Sequence, residues 1–248
     1  LLSRGSVGVK GPLCARAPRG SGVRGAGWRW VAERAAHLRA DLDRGLRLLE
    51  IGCGTGALLR ALDDDGVLDS GIGVDSSPGM LARARSHGRH RPRLRFAGVD
   101  GPALDLPDDS VDVVVCFLSF RYLDWDPVMA EIRRVLAPGG RLWVVDMVEH
   151  PIRLRELAVL ARSVLEHVHT RSARPRFAAD LTALTTSPAW REMLRHNPIR
   201  AEHEYRWYFA SRFPGSRLKL LTATLSQRVL AFDSGPLTKG RTAPLTYP

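Results

Sequence analysis

The stretch Leu48-Leu49-Glu50-Ile51-Gly52-Cys53-Gly54-Thr55-Gly56 decides how this chain is read. Residues 46–51 are a short, mostly apolar run, the form of a strand buried on both faces of a parallel sheet. Gly52, Gly54 and Gly56 then let the backbone turn sharply and approach a ligand closely. Residues 57–62 begin a helix whose N-terminus points back at that ligand. A glycine turn alone is weak evidence, and with Ala57 this one also fits the dinucleotide pattern G-x-G-x-x-A.

Working outward, the same rhythm repeats. Upstream, Trp30, Val31, Ala35, Leu38 and Leu42 recur at helical spacing, which predicts a helix over 28–42. Downstream, residues 71–74 form a strand ending in Asp75, and 78–85 a helix with Pro78 in its first turn, where a missing N–H costs nothing. Strands follow at 94–97 and 111–116, then a helix at 127–136 stopped by Ala137-Pro138-Gly139-Gly140, and a strand at 141–145. Residues 218–223 and 228–232 read as two antiparallel strands. The result is an α/β fold of the Rossmann-like, doubly wound kind. It has a mostly parallel seven-stranded sheet, an antiparallel last strand, and a helical insert before the final strand pair.

The domain reading follows: 1–27 a flexible basic segment, 28–147 a ligand-binding core, 148–213 a helical substrate-binding insert, 214–234 the final strand pair, and 235–248 a tail. The chain has 248 residues and a net charge of +11. Five basic residues (Arg4, Lys10, Arg16, Arg19, Arg24) fall in the first 24 positions with no acid among them. The chain opens on Leu1 rather than Met, which reads as an incomplete start, and 1–27 lacks the apolar core of a secretory leader. No apolar run is long enough to span a bilayer. Cys14, Cys53 and Cys116 match no metal spacing, so no metal site is expected. They point to a reducing, cytoplasmic compartment.

Companion features break the tie left by the glycines. Asp75 stands 23 residues after Gly52, at a strand end where a carboxylate can accept both hydroxyls of a ribose. Asp100 follows the third strand, Leu106-Pro107-Asp108-Asp109-Ser110-Val111-Asp112 leads into the fourth, and Arg134-Val135-Leu136-Ala137-Pro138-Gly139-Gly140 precedes the fifth. With these, the sequence resembles the class I S-adenosylmethionine-dependent methyltransferases, closest to the broad group that includes the ubiquinone/menaquinone-biosynthesis enzymes. The resemblance covers 28–147 well, fades over 148–213 and returns at the last strand pair. Val99-Asp100-Gly101 departs mildly from the family's Gly-Asp-Ala-like segment.

The resemblance implies S-adenosyl-L-methionine as cofactor. Gly52, Cys53, Gly54, Thr55 and Gly56 would form its turn, and Glu50 would anchor the amino-acid end. Asp75 would hold the ribose, Met80 would pack on the adenine, and Asp100 would read its amino group. Cys116 to Leu118 would face the methionine part. Methyl transfer from a sulfonium is an in-line displacement that asks chiefly for positioning, so no catalytic residue is required. His150, just past the fifth strand at the carboxyl edge of the sheet, is the favoured general base. Tyr122, Asp124, Glu149, His167, His169, His203, Tyr205 and Tyr208 are weaker candidates.

The expected reaction is transfer to an oxygen or carbon of a small-molecule acceptor. Residues 151–213 hold 11 Arg, no Lys and 6 acids, which suits an anionic acceptor, while their aromatics suit a planar one. Cys116-Phe117-Leu118-Ser119 replaces the Asn/Asp-Pro-Pro-Tyr segment of amide and exocyclic-amine methylases. The alternatives are an RNA methyltransferase, favoured only by the basic charge, and a silent cofactor-binding scaffold. The oligomeric state reads as monomer or homodimer.

Overall fold

The computed structural model describes residues 23–149, 199–216, 218–223 and 227–237, together with single positions between 157 and 195. Seven strands form one sheet in the order β3-β2-β1-β4-β5-β7-β6. They are β1 (Leu46–Ile51), β2 (Leu68–Asp75), β3 (Leu94–Gly98), β4 (Val111–Phe117), β5 (Leu136–Glu149), β6 (Lys219–Ala223) and β7 (Gln227–Asp233). The first five run parallel, and β7 lies antiparallel between β5 and β6. The described helices are α1 (Val23–Leu42), α2 (Ala57–Asp64), α3 (Pro78–Gly88), α4 (Trp125–Val135) and α5 (Glu202–Arg212).

The central strands β1 and β4 are buried at nearly every position because both faces of the sheet are covered there. Leu46, Leu48, Val113, Val115, Trp143 and Val145 pack under α1 and α2, against Trp30, Val31, Leu58, Leu59 and Leu62. The alternate positions Leu49, Ile51, Val114, Val144 and Phe232 pack under α4 and α5, against Val128, Ile132, Tyr205 and Phe209. This period-two sorting of one continuous apolar run into two layers is what makes the fold doubly wound.

Three boundaries differ from the sequence reading. Helix α1 starts at Val23, five residues before the expected start. Its first turn lies directly on the sheet: a Cβ at Gly27 would come within 2.8 Å of Val145 Cγ1. Strand β5 begins at Leu136 and runs through Pro138-Gly139-Gly140, which the sequence presents as a helix stop. There the Gly139 N–H donates to the Leu237 carbonyl and the Leu237 N–H to the Gly140 carbonyl, so a segment remote in sequence completes the strand. Lastly, residues 202–212 belong to the core rather than to an insert. Glu202, Tyr205, Tyr208 and Phe209 form the buried face of α5, and Trp207 is exposed. Spacing alone groups Glu204, Trp207 and Tyr208, of which only Tyr208 is on the buried face.

Candidate active site

The chain leaves β1 in one direction, through α2 to β2, and leaves β4 in the other, through α4 to β5. Beyond the carboxyl ends of β1 and β4 this reversal opens the crevice where open α/β sheets bind ligands. The glycine turn lies there. Gly52, Gly54 and Gly56 have φ of 78°, 57° and 68°. Three left-handed residues within five positions are tolerable only for glycine. The Gly52 and Cys53 N–H groups both donate to the Val74 carbonyl, at 2.7 and 3.0 Å, and fasten the turn to the end of β2. Gly56 caps α2 without a side chain, so that helix end offers bare backbone N–H groups to the crevice.

Asp75 terminates β2 and is buried. Its Oδ2 accepts the Gly54 N–H at 2.7 Å and its Oδ1 the Ser77 N–H at 2.9 Å. The residue expected to hold a ribose is therefore also the brace of the glycine turn and of the entry to α3. Ser77 caps α3, its Oγ accepting the Met80 N–H at 3.4 Å. Glu50 is buried on β1, beside Gly73 of β2 and Val115 of β4. Cys53 and Thr55 are buried within the turn, Met80 is half-buried, and Asp100 is exposed beyond the end of β3.

The fourth strand's exit differs from expectation. Cys116 is completely buried in the layer under α4 and α5, packed as a core residue. Phe117 and Leu118 turn to the other side, where Trp28 of α1 meets Phe117 edge-on at 6.5 Å. Leu118 is half-buried and takes φ 56°, an uncommon conformation for a leucine, with its N–H held by the Val145 carbonyl at 2.7 Å. Ser119 Oγ donates to the Ile51 carbonyl at 2.6 Å, tying the exit of β4 to the exit of β1.

Next to it lies a buried group that sequence reading missed. Asp146 of β5 accepts from the Arg121 N–H, Arg121 Nη1, the Met147 N–H and the Tyr205 hydroxyl, at 2.8–2.9 Å. Arg121 Nη2 continues to the Tyr122 hydroxyl at 2.8 Å. Burial, reinforced by the Asp146 charge, pushes the Tyr205 phenol well above its ordinary value, so it is a fixed donor rather than a base. The available signal was a lone acid in the apolar run Trp143-Val144-Val145-Asp146-Met147-Val148, since a buried carboxylate needs partners.

Of the acid–base candidates, His150, His167 and His169 lie outside the described residues. Tyr122 stands in the short 3₁₀ turn after β4, Asp124, Glu149 and His203 are exposed, and Tyr205 and Tyr208 are core residues. Between α4 and α5 a groove of about 370 Å³ is lined by Trp125, His203, Trp207 and Tyr208. Its arginines are internally matched, Arg200 to Glu204 and Arg212 to Asp126. Arg134, from the Arg-Val-Leu-Ala-Pro-Gly-Gly segment, serves structure. It bonds the Leu104 and Leu106 carbonyls and the Asp108 and Glu131 carboxylates, clamping the loop before β4 onto α4. Among the described residues no cluster of His, Cys, Asp and Glu could hold a metal ion, and no helix is long and apolar enough to cross a membrane.

The strand-turn-helix site and its neighbours coincide with a known sequence family: residues 49–144 match the family described as "Methyltransferase domain". Among curated relatives of the domain, the demethylmenaquinone methyltransferase of Thermus thermophilus is 36% identical over 129 residues, 51% of this chain and 58% of that protein. The corresponding Deinococcus radiodurans enzyme is 36% identical over 122 residues, 48% of this chain and 49% of that protein. The matches thus span only about half the length of these relatives. Among solved structures, the geranyl diphosphate C-methyltransferase of Streptomyces coelicolor superposes with a TM-score of 0.55 at 14% identity, over 84% of this chain and 78% of that one. At that identity the likeness speaks for the fold alone.

Proposed function

We propose that this protein is an S-adenosylmethionine-dependent methyltransferase acting on an oxygen or carbon of a small-molecule acceptor. The observation that carries the reading is the turn from Gly52 to Gly56. Its three left-handed glycines stand at the carboxyl edge of β1, against a carboxylate at the end of β2. The donor set fits the cofactor's chemistry. Glu50 offers negative charge to a cationic amino-acid end, and the bare turn lets that end approach. Asp75 sets a carboxylate at the end of β2, the position at which a ribose would be held. Asp100, exposed at the end of β3, suits an exocyclic amino group, and half-buried Met80 and Leu118 supply apolar walls. When bound, S-adenosylmethionine supplies an electrophilic methyl group on a sulfonium.

The chain's own residues then hold the acceptor in line and exclude water. The buried ties from Ser119 to β1 and from Arg121 to Asp146 fix the floor on which it would rest. His150 remains the proposed base where the acceptor must lose a proton. The relatives' named acceptor, demethylmenaquinone, makes quinone-type rings the first class to screen. Buried thiols at Cys53 and Cys116 suit a reducing compartment, and we assign the protein to the cytoplasm.

Calorimetric titration with S-adenosylmethionine and S-adenosylhomocysteine tests the reading. Micromolar binding is expected. Gly54→Arg should abolish it, because a side chain is forced into a left-handed, buried position, and Asp75→Ala should weaken it at least tenfold, roughly the worth of one charged hydrogen bond. A folded wild-type protein that binds neither compound would overturn the assignment.

A further inference from the structure

The outer edge of the sheet carries a second surface, built from α3, the turn after it and β3. From Ser76 to Val99 the chain has no acid, and Arg83, Arg85, Arg89, Arg91, Arg93 and Arg95 fall within it beside His87 and His90. All of these side chains except Arg91 are exposed. Arg91 is half-buried and neutralised: it pairs with Asp63 at 2.8 Å and with Asp64 at 2.7 Å, which fastens the turn to the end of α2. The Arg91 N–H donates to the Gly88 carbonyl and the Leu94 N–H to the Arg91 carbonyl, at 2.9 and 3.0 Å. Arg85 Nε donates to the Phe96 carbonyl at 3.0 Å and ties α3 to β3. The edge is therefore held in one shape. Among the described residues, none of Arg83, Arg85, Arg89, Arg93 and Arg95 is in an ion pair. Five unmatched guanidiniums on one fixed edge repel one another, and a polyanion relieves that repulsion.

The chemistry of the edge selects among polyanions. The planar guanidinium fork matches phosphate oxygens in pairs. The remaining exposed residues from 82 to 98 are Ala82, Ser86, Pro92, Ala97 and Gly98, so no large apolar side chain is presented to enter a lipid interface or to anchor a protein partner. The Phe96 ring is turned inward, where a Cβ on Gly56 or Gly88 would come within 2.5 or 2.7 Å of it. A second copy of the chain meeting the same edge would set like charges together. A nucleic-acid backbone asks only for spaced cations and donors. Helix α3 leaves the carboxyl end of β2 and returns the chain to the amino end of β3, so the turn at 89–93 stands on the side of the sheet opposite the glycine turn. A partner held there leaves the crevice open.

We infer that the edge formed by Arg83, Arg85, Arg89, Arg93 and Arg95 docks the protein on the phosphodiester backbone of a nucleic acid, without reading its sequence. The nucleic acid is a docking partner and not the methyl acceptor, so this inference and the methyltransferase reading fail separately.

Fluorescence anisotropy of the full chain with a labelled single-stranded RNA of about 20 nucleotides, and with the DNA of the same sequence, tests it. Both are expected to bind alike, because the contacts are to phosphate. Five contacts at about 0.7 each give a slope of log K against log salt near about −3.5, a loss of roughly 100-fold between about 50 and about 200 mM. An Arg83→Gln/Arg89→Gln/Arg93→Gln/Arg95→Gln variant should bind at least about tenfold more weakly at the lower salt, with most of the slope gone. All four side chains are exposed, so that variant should keep its circular dichroism spectrum and its Tm. Arg29→Gln/Arg39→Gln, at exposed positions of α1, should bind as the wild type does. The inference is overturned if the wild-type chain binds neither oligonucleotide, or if the fourfold variant binds as tightly as the wild type, which would assign binding to another basic segment. It is overturned equally if phosphatidylglycerol vesicles or polyglutamate displace the RNA as well as unlabelled RNA does at equal charge, which would make the partner a lipid surface or an acidic protein.

Discussion

Asp75 has an architectural task beside the ribose contact proposed for it. Its two oxygens hold the N–H groups of Gly54 and Ser77, so the loop that would receive the cofactor is set before any ligand arrives. Cys116 is the counter-case. Its position at the mouth of β4 suggested a ligand contact, but the pleat turns it into the layer under α4 and α5, where it acts as a small apolar residue. Cys116→Ala is therefore expected to lower stability by about 1 kcal/mol, the cost of a small core deletion, while leaving the Kd for S-adenosylhomocysteine within about twofold. A much larger loss of affinity, measured by calorimetry alongside thermal unfolding, would return Cys116 to the site. The glycines, Glu50 and Asp75 were legible because their types and spacing encode a local turn. The Asp146, Arg121 and Tyr205 group was not, because its members come from β5, the turn after β4 and α5, and only packing brings them together.

At the scale of elements, strands β1 to β4 and helices α2 to α4 fall within a few residues of their sequence signals, because each is bounded by local turn chemistry. Helix α1 and strand β5 run longer than their signals because contacts from elsewhere extend them: Gly27 against Val145, and Leu237 against Gly139 and Gly140. The second half of α4 and the loop before β4 are joined through Glu131. Its carboxyl group is held down to about 2, first by the hydrogen bonds from Arg134 and then by the Leu104 N–H. A depressed carboxylate stabilises the fold above its ordinary value of 4.5 and loses that contribution as pH falls toward 2. Thermal unfolding of wild type and Glu131→Gln from neutral pH to about pH 2 checks this. The wild type should unfold at higher temperature above about pH 5, and the gap should close as the pH falls through that window. A gap that stayed constant to the acid end would mean that the carboxylate's charge contributes nothing.

At the scale of the molecule, α5 joins the last strands to the first. Phe209 stacks on Phe232 of β7 with centroids 3.9 Å apart and also meets Phe120, Tyr205 and Phe213. Its layer continues without a break through β4 and β1. Phe209→Ala is expected to cost about 3–5 kcal/mol, and the whole described core should unfold in one transition at a lower temperature. A biphasic melt, with the first five strands surviving, would show that β6, β7 and α5 form a separate unit. By itself the sequence determined the strand-turn-helix at Glu50 to Gly56, the alternation of strands and helices, and the seven strands with their closing antiparallel pair. All of these are written in local periodicity and turn residues. Only the tertiary structure decided the assignment of α5 to the core, the burial of Cys116, the bracing of the glycine turn by Asp75 and the grouping of Arg121 and Tyr205 on Asp146. Those depend on which face of an element meets which neighbour, a matter of long-range packing that no local pattern records.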